Sequence, residues 1–210
     1  MDRVYGQRSL EALRHIASFN EEFGASKKHT SKMWMQVIEE GERVFERSNM
    51  RGHITTSMMV LDKSLKSCLL VDHIHHKLWL APGGHVEDGS LIENAIREVI
   101  EETGIKTIKP LQQCPVHIDT HPITARPAKN EGEHFHHDIL FVGVTDYVVD
   151  TRQGTVGVAD DDALTHQEEE VADAKWFNLK EVAERTGHAA KGAQNIIRLM
   201  ERGKIKVDMS

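Results

Sequence analysis

Cysteine is scarce in this chain. Two residues, Cys68 and Cys114, in 210 cannot build a disulfide framework, and with no CxxC pair they offer no zinc knuckle. A reducing cytoplasm is the simplest setting for such thiols. Long apolar runs are also missing, so no segment reaches the length of a membrane span. The opening stretch, MDRVYGQRSLEALRH, has no apolar core of the secretory kind. Positive charge is in deficit. A formal net charge of −7 argues against a general nucleic-acid binder. It also means that net charge would not draw in an anionic ligand, so local Lys, Arg and His or a bound cation would have to. What remains, 39% hydrophobic and 28% charged residues over 210 positions, is ordinary for a globular chain able to bury a core.

The most informative stretch runs from Pro82 to Ile105. A Gly83-Gly84 turn leads to a predicted helix. Ser90 followed by Glu93 is a capping box that starts it, and Gly104 fits its C-terminal stop. Leu91, Ile92, Ala95, Ile96 and Val99 fall on one arc that must face a core. Four acids, Glu93, Glu98, Glu101 and Glu102, crowd the same helix. At about 100° per residue, Glu98 and Glu102 point within roughly 40° of each other, at the edge of the apolar arc. Two such carboxylates repel unless a cation lies between them. A hard divalent ion such as Mg²⁺ suits them, because it takes oxygen ligands. The bland alternative, a solvated acidic face, is weakened by the glycine turn directly before the helix.

These residues resemble the Nudix box, G-x5-E-x7-R-E-U-x-E-E-x-G-U, where U is bulky and apolar. Arg97-Glu98-Val99-Ile100-Glu101-Glu102-Thr103-Gly104-Ile105 matches the second half completely. The first half departs at one point. Where the family usually has Gly-Glu-Ser, Gly89 runs straight into Ser90, so in that alignment the box is one residue short and lacks its first Glu. The resemblance implies an α/β/α sandwich with a mixed sheet and a Mg²⁺-dependent pyrophosphohydrolase (with Mn²⁺ as the substitute ion). Its substrate would be a nucleoside diphosphate linked to another group. The resemblance also implies the Gly83 carbonyl as a metal ligand beside Glu98, Glu101 and Glu102.

The remaining segments frame this core. An N-terminal helical extension is expected over residues 1–50. Leu10, Leu13, Ile16 and Ala17 form one stripe, with Phe19 and Phe23 beyond them. Trp34, Val37, Ile38, Gly41, Val44 and Phe45 form another, and Lys27, Lys28 and His29 interrupt between the two. Covering apolar surface is the default role of such helices, and pairing two subunits of a homodimer is the alternative. Strands are predicted at Ile54 to Asp62, Cys68 to Asp72, Leu78 to Leu80, Val116 to His121, Phe135 to Val144 and around Trp176. The hydrolase domain is expected over 51–182, with a C-terminal helix packed on it within 183–210.

Histidine is the second abundance: fourteen residues, against two tyrosines. His117, Asp119 and His121 alternate, as do His134, His136 and Asp138, and alternate residues of a strand share a face. Side by side, the two strands would present four imidazoles and two carboxylates. A substrate pocket, a transition-metal site and a solvated sheet face are all open readings. His117, His121, His134 and His136 are the substrate-binding candidates, with Arg126. A third group, His73, His75, His76 and Lys77, precedes the glycine turn.

In the chemistry this pattern supports, water attacks one phosphorus, and no Ser or Cys here has a matched base that would favour a covalent route. Arg97 reads as an orienter of the box carboxylates. Glu168-Glu169-Glu170 lies shortly before Trp176, where Nudix enzymes often carry a base or an extra ligand, and Glu169 is the preferred residue. Two rivals stand beside hydrolysis. One is a non-catalytic Nudix-fold nucleotide sensor or regulator, for which the absent Glu argues. The other is an isoprenoid diphosphate isomerase, whose added Cys and Glu this sequence does not match. The expected partner is therefore a small nucleoside diphosphate derivative, with neither nucleic acid nor membrane.

Overall fold

The computed structural model describes residues 6–24, 27–74, 77–125, 131–149 and 171–206. The centre of the molecule is β1 (His53–Leu61), buried at every position. It runs parallel to β7 (His134–Val144), in register from His53 opposite His136 to Leu61 opposite Val144. The other edge of β1 is shared. β4 (Gly83–His85) pairs with Thr55 to Ser57, and β2 (Ser67–His73) pairs with Val60 and Leu61, both antiparallel. β2 continues outward to β3 (Leu78–Leu80) and β8 (Val171–Asn178). β7 carries β6 (His117–Ile123) along its first half and β5 (Lys109–Pro110) at its end. The sheet is therefore mixed.

Alternation along β1 divides the core. Ile54, Met58 and Val60 face one layer, made by α1 (Gln7–Phe23), α2 (Lys27–Glu40) and α3 (Leu91–Thr103). Met59 and Leu61 face the other layer, made by α4 (Leu179–Ala183) and α5 (His188–Glu201). Trp176 and Phe177 on β8 split in the same way between the two layers. This is the expected α/β/α sandwich with helices at its N-terminus. Among the described residues, no helix is long and apolar enough to cross a membrane.

The N-terminal helices form close to where the pattern places them, but two details differ. α1 buries Ser9, Ala12, His15, Ile16 and Phe19, while Leu10 is exposed. The buried arc is rotated because small and polar residues let the helix lie close to its neighbours. The Ser9 backbone N–H donates to the Glu42 carboxylate, and the His15 ring packs edge-on against Phe141. α2 begins at Lys27, so the Lys27, Lys28, His29 run belongs to the helix rather than breaking it. Met33 and Val37 supply its buried side, whereas Trp34 and Met35 stand exposed. A short 3-10 turn (Gly41–Phe45) then seats Val44 and Phe45 in the core.

Ile16 is fully buried in the same core as β1 and α3. Ile16→Ala should therefore lower unfolding stability by about 2–5 kcal/mol, in a single cooperative transition, as expected for a truncated core aliphatic. Urea titration followed by circular dichroism checks this. An unchanged midpoint would mean that α1 is peripheral.

Candidate functional site

α3 is fixed at both ends by local chemistry. Ser90 and Glu93 make the reciprocal capping box, and Gly104 closes the helix with φ 73°. Asn94, which the sequence reading passed over, locks the preceding loop. Its carbonyl oxygen accepts from the Glu87 N–H, and its amide donates to the Asp88 and Ser90 carbonyls. α1 reaches the same loop, with Arg8 donating to the Glu87 carbonyl and Glu11 accepting from the Leu91 N–H.

This anchoring presses the C-terminal half of α3 against the glycine turn. A Cβ on Gly84 would meet the Glu98 carboxylate at 2.6 Å, and one on Gly83 would meet Ser57 at 2.5 Å. At Gly83 the close neighbours include the Thr56 and Ser57 backbone and leave room only for glycine, whereas at Gly84 a side chain would displace the Glu98 carboxylate. The Gly83 N–H donates to Glu102 at 3.0 Å. Arg97 donates to Glu98 and Glu101, each at 2.8 Å, and to the His85 carbonyl at 2.9 Å. Glu102 is buried rather than lying on an exposed edge, because β4 folds over it. Glu98, Glu101 and Glu102 do not converge as a three-donor cluster in this conformation. Their donors are hard oxygens beside a backbone strand, which fits a cation that takes one or two carboxylates plus substrate oxygens.

The first-Glu position of the box can also be settled by counting. From Gly83, every spacing of the motif is kept and Gly89 stands where the Glu would be. The motif is therefore of full length with one substitution rather than one residue short. Gly89, at φ 91°, lies against Glu93, which is occupied with the cap. A cleft of about 580 Å³ opens nearby between α1 and the start of α3. Its lining of Glu11, Glu42, Asp88 and Glu93 against Arg8 is unsuited to a phosphate-bearing ligand.

The histidine strands do pair. His121 faces His136 and Asp119 faces Asp138 across β6 and β7. His134, His136 and Asp138 are in step with Leu140, which packs under α5, so this face is opposite the one that α3 covers. The histidines therefore share one sheet face but do not gather beside the box helix itself. The two are joined through the His85 backbone. His117 is not in the cluster. It is buried, with its ring against His188 at 4.9 Å and Phe19 at 6.2 Å. His134, His136 and His121 stay together, and two further residues join them, His53 and His85. His53 keeps step with Thr55 and Ser57 on β1, a periodicity visible in sequence, but its pairing with His136 was not. Arg126 and Glu169 lie outside the described residues.

Electrostatics on this face favour neutral imidazoles at its centre. Burial pushes His53 down to about 4 and holds His136 far below the usual range, with neighbouring histidines adding to both effects. At the rim the sign reverses. Burial works against the charged form of His121, yet Asp119 bonded to it at 3.0 Å holds its pKa raised, and Asp119 itself falls to about 2. Asp138 is kept low, against its own burial, by His188, Ser57 and Thr55.

A family model described as the NUDIX domain matches residues 51–200. The chain belongs to the Nudix family. As a Nudix-type hydrolase it acts on phosphorus-containing acid anhydrides, and hydrolases of this family generally use a divalent metal. No curated protein matches it. Among solved structures, a C. elegans Ap4A hydrolase in a binary complex is 19% identical over 71% of this chain and 98% of its own, with a TM-score of 0.47. The E. coli dihydroneopterin triphosphate pyrophosphohydrolase is 16% identical over 71% and 95%, with a TM-score of 0.46. The NUDIX domain of Shewanella oneidensis NrtR, in complex with ADP ribose, is 20% identical over 80% and 96%, with a TM-score of 0.42.

Stability of this Nudix hydrolase should depend on pH through its buried neutral histidines. His137, on the opposite face, is pushed by burial down to about 4, and it bonds Gln36 and Thr120. For His53 and His137, folding depresses the pKa from 6.5 to about 4, so the unfolded chain binds more protons between those values. Their contribution is complete above about pH 6.5 and is lost as pH falls toward about 4. The share from Asp119 goes only lower, between 3.8 and about 2. Urea midpoints measured across this range should fall from pH 6.5 to 4, less steeply in His137→Gln. A flat profile would contradict the neutral burial.

Proposed function

We propose that this Nudix hydrolase is a Mg²⁺-dependent pyrophosphohydrolase that cleaves a nucleoside diphosphate linked to another moiety, by attack of water on one phosphorus. The observation that supports this reading most directly is the close packing of Glu98 and Glu102 against the Gly83-Gly84 backbone. Glu98, Glu101 and Glu102, with the Gly83 carbonyl, are the residues that would hold the ion. When bound, a divalent cation neutralises diphosphate charge and lowers the pKa of a bound water. Arg97 keeps two of the carboxylates aimed by pairing with Glu98 and Glu101 while anchored on the His85 carbonyl. The box carboxylates are committed to the cation, so the proton of the attacking water goes to a base elsewhere. Glu169 is that base in this reading, with Glu170 next. His121, His134, His136 and Arg126 contact the substrate. The setting is a reducing cytoplasm, where Cys68 and Cys114 remain thiols, as they are here.

A non-catalytic sensor is the alternative, favoured by Gly89 in place of the first box Glu. Hydrolysis of a panel of nucleoside diphosphate derivatives, with and without Mg²⁺, read as the inorganic phosphate that an added phosphatase frees from the two phosphomonoester products, separates the two. On a confirmed substrate, Glu98→Gln and Glu102→Gln should each lower kcat by about two or more orders of magnitude with the fold intact, as loss of a metal-centred charge effect does. Glu169→Gln should reduce kcat far more than it raises KM. Near-normal turnover in a variant would remove that residue from the assignment.

The chain is also read as a homodimer through the α1–α2 face, where Trp34 and Met35 are exposed. Sedimentation velocity at micromolar concentration should show a dimer that Trp34→Glu converts to monomer. A monomeric wild type would sink the idea.

A further inference from the structure

We propose that His53, His85 and His136 form a binding site for one divalent transition-metal ion of the zinc class, separate from the carboxylates of the box helix. One ligand atom from each lies within 4.8 Å of the others. His85 Nε2 and His53 Nε2 are 3.0 Å apart. Two nitrogens on one tetrahedral ion at about 2.0–2.1 Å would stand roughly 3.3 Å apart, so only a small adjustment separates this geometry from a ligating one.

Three neighbouring strands supply the three residues. His53 on β1 is directly opposite His136 on β7, and His85 on β4 is opposite Thr55. The sheet ladder thus holds the imidazoles in place without a ligand. The surroundings follow the pattern of metal-binding histidines, in which the second ring nitrogen gives its proton to a carbonyl. His53 Nδ1 faces the Asn49 carbonyl at 3.4 Å. His134 stacks on His53 at 4.8 Å between ring centroids and gives its Nδ1 proton to the Gly132 carbonyl at 2.8 Å. Its Nε2 is buried and has no hydrogen-bond partner among the described residues. A buried acceptor of this kind calls for a further group, such as water on a nearby ion.

Donor chemistry selects the ion. Asp119 on this face is bonded to His121, and Asp138 to Thr55, Ser57 and His188. The convergent set is therefore all imidazole, which suits zinc, copper, nickel or iron rather than Mg²⁺. Three protein ligands leave a fourth position for water or an anionic oxygen. The box carboxylates lie across β4, since Gly84 faces Glu98 while His85 faces the opposite side.

The test uses the full chain without substrate, so it does not depend on the hydrolytic reading. After zinc loading and desalting, elemental analysis should give about one equivalent per chain, as for a preformed site. His53→Ala and His136→Ala should retain less than about a tenth of that, as expected when a ligand is removed. Glu98→Gln and Glu102→Gln should bind zinc like the wild type. Co²⁺ added to the wild type should give the intense visible absorption of a nitrogen-rich, low-coordinate ion, a readout that needs no variant to fold. A wild type that retains no zinc and shows only the weak spectrum of aqueous Co²⁺ would overturn the proposal. So would full retention of zinc in both histidine variants.

Discussion

The parallel pairing of β1 with β7 is the constraint on which the rest of the molecule depends. Nine consecutive pairs, from His53–His136 to Leu61–Val144, hold the two strands together. With both strands central, one alternation decides everything on either side. Ile54, Met58, Val60, Ile139 and Phe141 go to the layer of α1, α2 and α3, while Met59, Leu61, Leu140 and Val142 go to that of α5. A slip of one residue would exchange the two faces and place the histidines under the box helix.

The same pairing explains why one strand edge serves two chemistries. β4 is only three residues long and leans on the first half of β1. Gly84 faces α3, where the absence of a side chain leaves room for the Glu98 carboxylate, while Gly83 reaches Glu102 through its backbone N–H. The strand's histidine faces the other way and joins His53 and His136. Arg97 spans these environments, with its guanidinium on Glu98 and Glu101 and on the carbonyl of His85. Burial of His53 and His136 among other histidines favours the neutral form of both.

Much of this could be read without coordinates, because the signals were local. Ser90 and Glu93 are three residues apart and make the cap that the spacing predicts. Gly104 ends the helix, and the alternation on β6 and β7 places their histidines on one face. What failed was non-local. Leu10 satisfies helical spacing but is exposed, since α1 turns its smaller residues inward against α2, α3 and the sheet. Glu102 sits at the edge of the apolar arc by angle alone and is buried because a distant strand covers it. Asn94 gives no signal in a helix pattern, yet it holds the loop before α3.

By itself, the sequence determined the box, its helix with both ends, the order of six strands though not the short β4 and β5, and the chemical types available: hard carboxylate oxygens on one segment and imidazoles on others. These follow from propensity, capping and periodicity, which act over a few residues. Only the tertiary structure decided which imidazoles meet. His53, His85 and His136 are separated by 32 and 51 residues, and their encounter rests on strand pairing. It also removed His117 from that group, because α5 brings His188 against it. The physical reason is common to both cases. Side-chain direction is a local property of the backbone, whereas proximity across a sheet is set by pairing and packing that no short window of sequence contains.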